Sequence, residues 1–187
     1  MFRNILVPLD GSEMSEAALP YAAAIAGPLK ATIHLLQVVA LPGGRSGGTW
    51  RAAAAFMSQV RLPRSEEDVE RRDHPVYREA EMASEEAEAK RTLMPAAENL
   101  QQQGISTEVA VVFGKPAGGI LRYAQDRQID LIVMCTHGEG GPDAYAYGPT
   151  ADRVARRAAA PVMLIRPEEV SRVLPSTPGQ EEPADER

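Results

Sequence analysis

Apolar positions along the chain follow two periods in turn. Short runs rich in branched apolar residues, at 3–9 (RNILVPL), 31–39 (ATIHLLQVV), 105–113, 130–134 and 162–165, predict five strands. Helical spacing fills the intervals. Asp10-Gly11-Ser12 turns the first strand into a helix that Ser12 caps, with Glu13 and Glu16 in its first turn and Ala18, Ala22 and Ile25 on one face. Pro20 is expected to kink this helix and Gly27-Pro28 to end it. A long helix over 78–103 has Ala83, Ala87, Met94, Ala97 and Leu100 on one side and many charged residues on the other. Pro95 is expected to bend or divide it, and Gly104 to stop it. Gly114-Lys115-Pro116 opens a further helix with Ile120, Leu121 and Ala124 as apolar positions, and the last helix spans 150–159. Strands that alternate with helices, several of them continuously apolar, predict an open five-stranded parallel α/β sheet with helices on both faces, a Rossmann-like arrangement.

Two stretches break this alternation. Residues 41–77 run through LPGGRSGGTW, an alanine run and PRSEEDVERRDHPV, too long for an ordinary connection, so they are an insertion in a domain that spans 1–166. Trp50, Phe56 and Met57 give that insertion apolar groups for a protein partner, against the plainer reading of a loose excursion with a short helix. Residues 167–187 form an acidic, proline-rich tail whose composition predicts disorder.

Charge and cysteine content narrow the function classes. The tail sets six acidic residues against Arg172 and Arg187, which leaves it -4 of the chain's net -6. The rest is nearly balanced, without a basic stripe or stacking aromatics, and this argues against polymeric nucleic acid as a partner. No apolar run approaches the length of a membrane span and no leader-like start is seen, so no membrane association and a cytoplasmic location are expected. The single cysteine, Cys135, fits a reducing compartment, and His34, His74 and His137 are too scattered for a metal site. His34, inside the second strand without a partnered acid or nucleophile, is expected to be a satisfied core or edge histidine.

Chemistry concentrates at 131–150, LIVMCTHGEGGPDAYAYGPT, where an apolar strand stops at a glycine-rich stretch and a helix follows. Ligands of open α/β sheets collect at the carboxyl ends of strands, and a helix N-terminus behind glycines offers free N–H groups to an anion. A phosphate site is one reading, and a simple glycine connection is the other.

At these residues the chain resembles the universal stress protein family. The matching pieces are NILVPLDGS, IHLLQVV, VVFGKPAGGIL, LIVMCTHG and APVMLIRP, spread over about residues 2–166. The resemblance implies a five-stranded fold of the adenine nucleotide alpha hydrolase-like kind. It also implies a homodimer paired through the last strand, Val162 to Ile165, and ATP or another adenine nucleotide as ligand, with Mg2+ only as the nucleotide carries it. The family's ATP pattern is Gly, two residues, Gly, nine residues, Gly and then Ser or Thr. Laid on this chain it falls on Cys135, Gly138, Gly148 and Pro149, with Thr150 next. Pro8, Asp10 and Val38 match positions around adenine and ribose, Gly114 opens the neighbouring loop, Met134 ends the strand, and His137 is placed to hydrogen-bond a phosphate.

The departures carry physical weight. Pro149 has neither N–H nor hydroxyl, Glu139 repels a phosphate, and Cys135 adds bulk where the backbone would approach the nucleotide. Thr150 and the glycines at 140 and 141 offer compensation. The expected function is therefore a cytosolic stress-response protein binding an adenine nucleotide as a regulatory ligand, at most a slow ATPase. The alternative is a dimeric interaction module without nucleotide.

Overall fold

The computed structural model describes residues 2–41, 75–136 and 147–166, except the side chains of 75–78. The tail, most of the insertion, His137 and Gly138 lie outside the described residues. In chain order the elements are β1 (Asn4–Leu9), α1 (Glu13–Glu16), α2 (Leu19–Leu29), β2 (Thr32–Val39) and α3 (Pro75–Gln102). They continue with β3 (Thr107–Phe113), α4 (Pro116–Asp126), β4 (Leu131–Cys135), α5 (Pro149–Arg157) and β5 (Val162–Ile165). All strand pairings are parallel, in the order β3-β2-β1-β4-β5, which is the doubly wound sheet that the alternation of periods predicts.

Strand pleat divides the apolar residues between two cores. Odd positions such as Ile5, Val7, Ile33, Leu35 and Val133 pack with Ala18, Ala22 and Ala26 from the start and body of α2 and with Leu93 and Leu100 of α3. Even positions such as Leu6, Leu36, Ile132 and Met134 pack under α4 and α5, against Ile120, Tyr123 and Val154. Both faces of the central strands are covered, and every residue of β4 is buried.

The first helical segment corrects the sequence expectation. Ser12 caps α1 as expected, its Oγ accepting the Ser15 N–H at 3.1 Å. The helix then breaks at Ala17 and Ala18 and restarts, so that Pro20 sits in the first turn of α2, where no N–H is needed, and produces no kink. Gly27-Pro28 does not itself end α2, which runs on to Leu29 and is closed by Lys30 in the left-handed conformation. Pro95 likewise leaves α3 a single helix.

Three helices stop in the same way. Ala31, Ile105 and Ile129 donate their N–H groups five residues back, to Ala26, Leu100 and Ala124, at 3.0, 3.0 and 2.9 Å. The residue before each has positive φ: 51° at Lys30, 79° at Gly104 and 50° at Gln128. Only one of the three is glycine. Lys30→Gly and Gln128→Gly are each expected to raise stability by up to about 1 kcal/mol, since a side chain resists the left-handed conformation. Urea denaturation measures this, and an unchanged midpoint in both variants refutes it.

At the amino ends of the strands, Asp130 fastens the start of the chain. Its Oδ2 accepts the N–H groups of Arg3 at 2.7 Å and Asn4 at 2.9 Å, and these two bonds hold its carboxyl below the ordinary aspartate pKa. A depressed folded pKa means stability that is present above the unfolded value of about 3.9 and lost as pH falls through the folded value. After allowance for solvent, Asp130→Ala is expected to cost about 1–2 kcal/mol at pH 7. The gap from wild type should begin to close below about pH 4 and shrink further as pH falls through the folded value, and a gap that keeps its neutral-pH size throughout the acid range in urea titrations would contradict the assignment.

His34 is a satisfied core histidine. It is 4% exposed, with Nδ1 3.2 Å from the Tyr123 hydroxyl and Nε2 3.5 Å from Asn4 Oδ1. Burial holds its pKa below the usual histidine value, against the upward pull of Glu108, whose carboxylate lies 3.5 Å from Nδ1. Among the described residues no helix is long and apolar enough to cross a membrane.

Candidate functional site

Strand order reverses at β1: the chain steps from β1 through β2 to β3 on one side, then crosses to β4 and β5 on the other. Two connections therefore leave the carboxyl ends of β1 and β4 toward opposite faces of the sheet, the kind of place where open α/β sheets bind ligands.

The first wall is the turn after β1. Asp10 Oδ1 accepts from Ser12 N–H at 3.0 Å and from Ser12 Oγ at 2.6 Å, a turn that fixes the exposed carboxylate at the rim. Ser15 Oγ accepts the Asp10 N–H at 3.3 Å and donates to the Ser12 carbonyl at 2.8 Å. This rigid knot explains the sequence Asp-Gly-Ser and gives Asp10 a structural role beside any contact with ligand.

The second wall is the junction of β4, β5 and α5. Thr136 N–H donates to the Ile165 carbonyl and Gly148 N–H donates to the Thr136 carbonyl, both at 2.9 Å. Gly148 is the N-cap of α5, with no side-chain cap bond, and Pro149 is the first helical residue. An α-helix leaves its first four N–H groups without intrahelical partners. Here Pro149 has none and that of Gly148 is already used, so Thr150 and Ala151 remain.

Between the walls, Pro8 shares the parity of Leu6, and Val38 and Met134 pack in the core beneath α4 and α5. Gly114 turns β3 toward α4 with φ 142°, a conformation that a side chain resists, and donates its N–H to the Val39 carbonyl at 2.8 Å. The structure thus places Pro8, Val38, Met134, Gly148, Pro149 and Thr150 on the α4 and α5 side, with Asp10 and Gly114 at the carboxyl ends of β1 and β3.

Cys135 is a correction. Its side chain lies on the opposite face, in the core with α2 and α3, and its Sγ donates to the Ser15 carbonyl at 3.8 Å. Strand pleat turns it away from the face that carries Met134, so its bulk does not obstruct that face. Burial pushes its thiol up to about 11, with the nearby Asp10 adding to the rise, and the thiol is inert at neutral pH.

Two residues at this junction escaped the sequence reading. Thr136 joins the strand ends, and Arg166 follows Ile165 directly. Their signal was positional: each is the first residue past a strand's carboxyl end. Among the described residues no group of three or more His, Cys, Asp or Glu side chains is placed to hold a metal ion.

Comparison with known proteins agrees with this architecture. The universal stress protein YxiE of Bacillus subtilis is 26% identical over 167 residues, covering 89% of this chain and 100% of the relative. The solved structure of the hypothetical protein MJ0577 of Methanocaldococcus jannaschii superposes with a TM-score of 0.65 at 21% identity, covering 89% of this chain and 96% of that one. A universal stress protein in complex with cAMP matches with a TM-score of 0.55 at 17% identity, covering 89% and 98%. One from Archaeoglobus fulgidus in complex with dAMP matches with a TM-score of 0.53 at 21%, covering 88% and 98%. The model of the Universal stress protein family matches residues 1–166, and the chain belongs to that family.

Proposed function

We propose that this protein binds an adenine nucleotide as a regulatory ligand at the carboxyl ends of β1 and β4, acting in the cytosol as a stress-response protein. The observation that carries this reading is the coincidence of three features at one place. The strand order reverses there, the Asp10 carboxylate is held at the rim, and the N-terminus of α5 carries no side-chain cap. The relatives solved with cAMP and dAMP support adenine as the base. Pro8, Val38 and Met134 would form the apolar seat of the base, Asp10 and Gly114 the ribose rim, and Gly148 to Thr150 the phosphate end. His137 and Gly138, which the family resemblance adds to this set, lie outside the described residues. Mg2+ enters only as carried by the nucleotide.

The same proposal makes the protein a homodimer paired through β5, an edge strand whose Met163 is 37% exposed. The insertion at 41–77 is offered as a surface for a protein partner. The second reading, a dimeric interaction module without nucleotide, draws support from Pro149, which removes a donor from the phosphate end.

Native mass spectrometry of protein purified without added nucleotide tests both readings together with calorimetric titration of ATP, ADP and AMP. Retained or titratable adenine nucleotide supports the first. No heat with any of the three at millimolar concentration sinks it and leaves the interaction module.

A further inference from the structure

We propose that His34 and the groups packed around it form a proton-operated switch between β2, β3 and α4. Proton uptake turns the Tyr123 hydroxyl away from its role as donor, draws Glu108 from Arg127 to the imidazole, and loosens the end of α4 from the sheet. The device is independent of any ligand at the carboxyl ends of the strands.

The ring atoms of His34 meet partners from three other elements. The residue stands on β2 and is 4% exposed, and register sets it beside Leu6 of β1 and Glu108 of β3. Nε2 lies 3.5 Å from Asn4 Oδ1 at the start of β1. Nδ1 lies 3.2 Å from the Tyr123 hydroxyl of α4 and 3.5 Å from a Glu108 carboxylate oxygen. The Asn4 amide settles the tautomer: its Nδ2 donates to the Gln128 carbonyl at 3.5 Å, which leaves Oδ1 to accept from Nε2–H. A neutral ring protonated at Nε2 has a bare Nδ1, and this nitrogen accepts from the Tyr123 O–H. Glu108, an acceptor only, then faces a second acceptor and gains nothing from the ring. The same Glu108 oxygen lies 3.9 Å from Arg127 Nη1, and the Arg127 guanidinium sits 5.7 Å from the centre of the Tyr123 ring.

A proton from solvent on Nδ1 reverses these roles. The nitrogen becomes a donor, Tyr123 can no longer donate to it, and the imidazolium attracts the Glu108 carboxylate. The charged and titratable groups at the ring are Glu108 from β3 and Tyr123 and Arg127 from α4. From β1 comes the neutral Asn4 amide, and Asp130, ahead of β4, is engaged by the backbone of Arg3 and Asn4. Burial above all, with Arg127, disfavours the charged ring and outweighs the pull of Glu108, so the pKa lies below the ordinary histidine value. An unfolded histidine titrates at about 6.5. Above that value both states are neutral; stability falls as pH drops from there to the folded value, and below it the loss is complete.

Nitrogen-15 NMR of the wild-type imidazoles, with His34 assigned through its bonds, reads tautomer and titration together. The expected result is an Nε2–H tautomer at neutral pH and a midpoint below that of an unfolded histidine. Glu108→Gln and Arg127→Gln alter side chains that are more than half exposed, so both variants should fold. The first should move the midpoint further down and the second should move it up. Tyr123→Phe removes a bond that only the neutral ring accepts and should also move it up. Hydrogen exchange, corrected for the intrinsic effect of pH, should show the end of α4 opening more just below the His34 midpoint than at neutral pH.

An Nδ1–H tautomer at neutral pH, or a ring that stays neutral until acid unfolds the protein, overturns the switch. So does a midpoint that Glu108→Gln and Arg127→Gln leave in place or move in the same direction. Exchange in α4 that is equal on the two sides of the midpoint overturns the loosening.

Discussion

Gly119→Val is expected to lower stability by about 3 kcal/mol, the upper end for forcing volume into a packed core. α4 crosses β2 and β3 with Gly119 facing them. A Cβ there would stand 2.8 and 2.9 Å from the two Val38 methyls and 3.2 Å from a Val112 methyl. Those neighbours are β-branched and have few rotamers into which to retreat. Gly118, one residue earlier, has nothing within 4 Å of its Cβ position and serves as the control. Gly118→Ala should raise stability by about 1 kcal/mol through helix propensity alone. Gly119→Ala gains the same propensity yet should be net destabilising. Chemical denaturation of these variants decides the matter, and a double-mutant cycle with Val38→Ala should recover much of the loss. Equal effects at 118 and 119 would refute the close approach. Val38 also belongs to the proposed adenine seat, so Gly119→Ala should weaken nucleotide binding more than Gly118→Ala does.

The sheet was legible in the sequence because its strands are buried on two faces and leave uninterrupted apolar runs. β5 was located at its observed bounds, and β4 within one residue. Parallel pairing and helices on both faces followed from the alternation of periods. Proline and the exact face of a polar helix were harder to place. Pro20 and Pro28 act according to their distance from the helix ends, and those ends were set by the break at Ala17-Ala18 and by the left-handed Lys30, neither of which has a strong local signature. In α3 the apolar side was assigned through Met94, but the buried stripe is Ala89, Leu93, Ala97 and Leu100, with Met94 44% exposed. Adjacent Leu and Met offer two alternative faces, and only the sheet beneath chooses between them. At the candidate site, Thr136 acquires its place from the register of β4 against β5, which the sequence does not display. The obstruction expected from Cys135 rested on its place in a linear pattern, and strand pleat turns it the other way.

That ambiguity in α3 leads to the second large effect: Leu93→Ala is expected to cost about 3 kcal/mol or more, within the range for large-to-small changes at buried leucines. Total stability for a domain of this kind is about 5–15 kcal/mol, so the loss is a sizeable share of it. α3 is anchored along its buried stripe by two large side chains, Leu93 at 1% and Leu100 at 2% exposure, with alanines between and before them. Its outer face offers little in exchange. The Lys90–Glu86 pair at 2.6 Å is half exposed, and such pairs contribute about 0.2–0.5 kcal/mol. Leu100 is held a second way, because its carbonyl accepts the Ile105 N–H at 3.0 Å where the chain turns into β3. Leu93 therefore carries the middle of the helix. In hydrogen exchange followed by mass spectrometry, Leu93→Ala should speed exchange in α3 ahead of β1 and β4, as a local opening rather than a global one. Met94→Ala, one residue on, should stay within about 0.5 kcal/mol of wild type because it removes an exposed side chain. Comparable losses at 93 and 94 would mean that α3 does not present this face to the sheet.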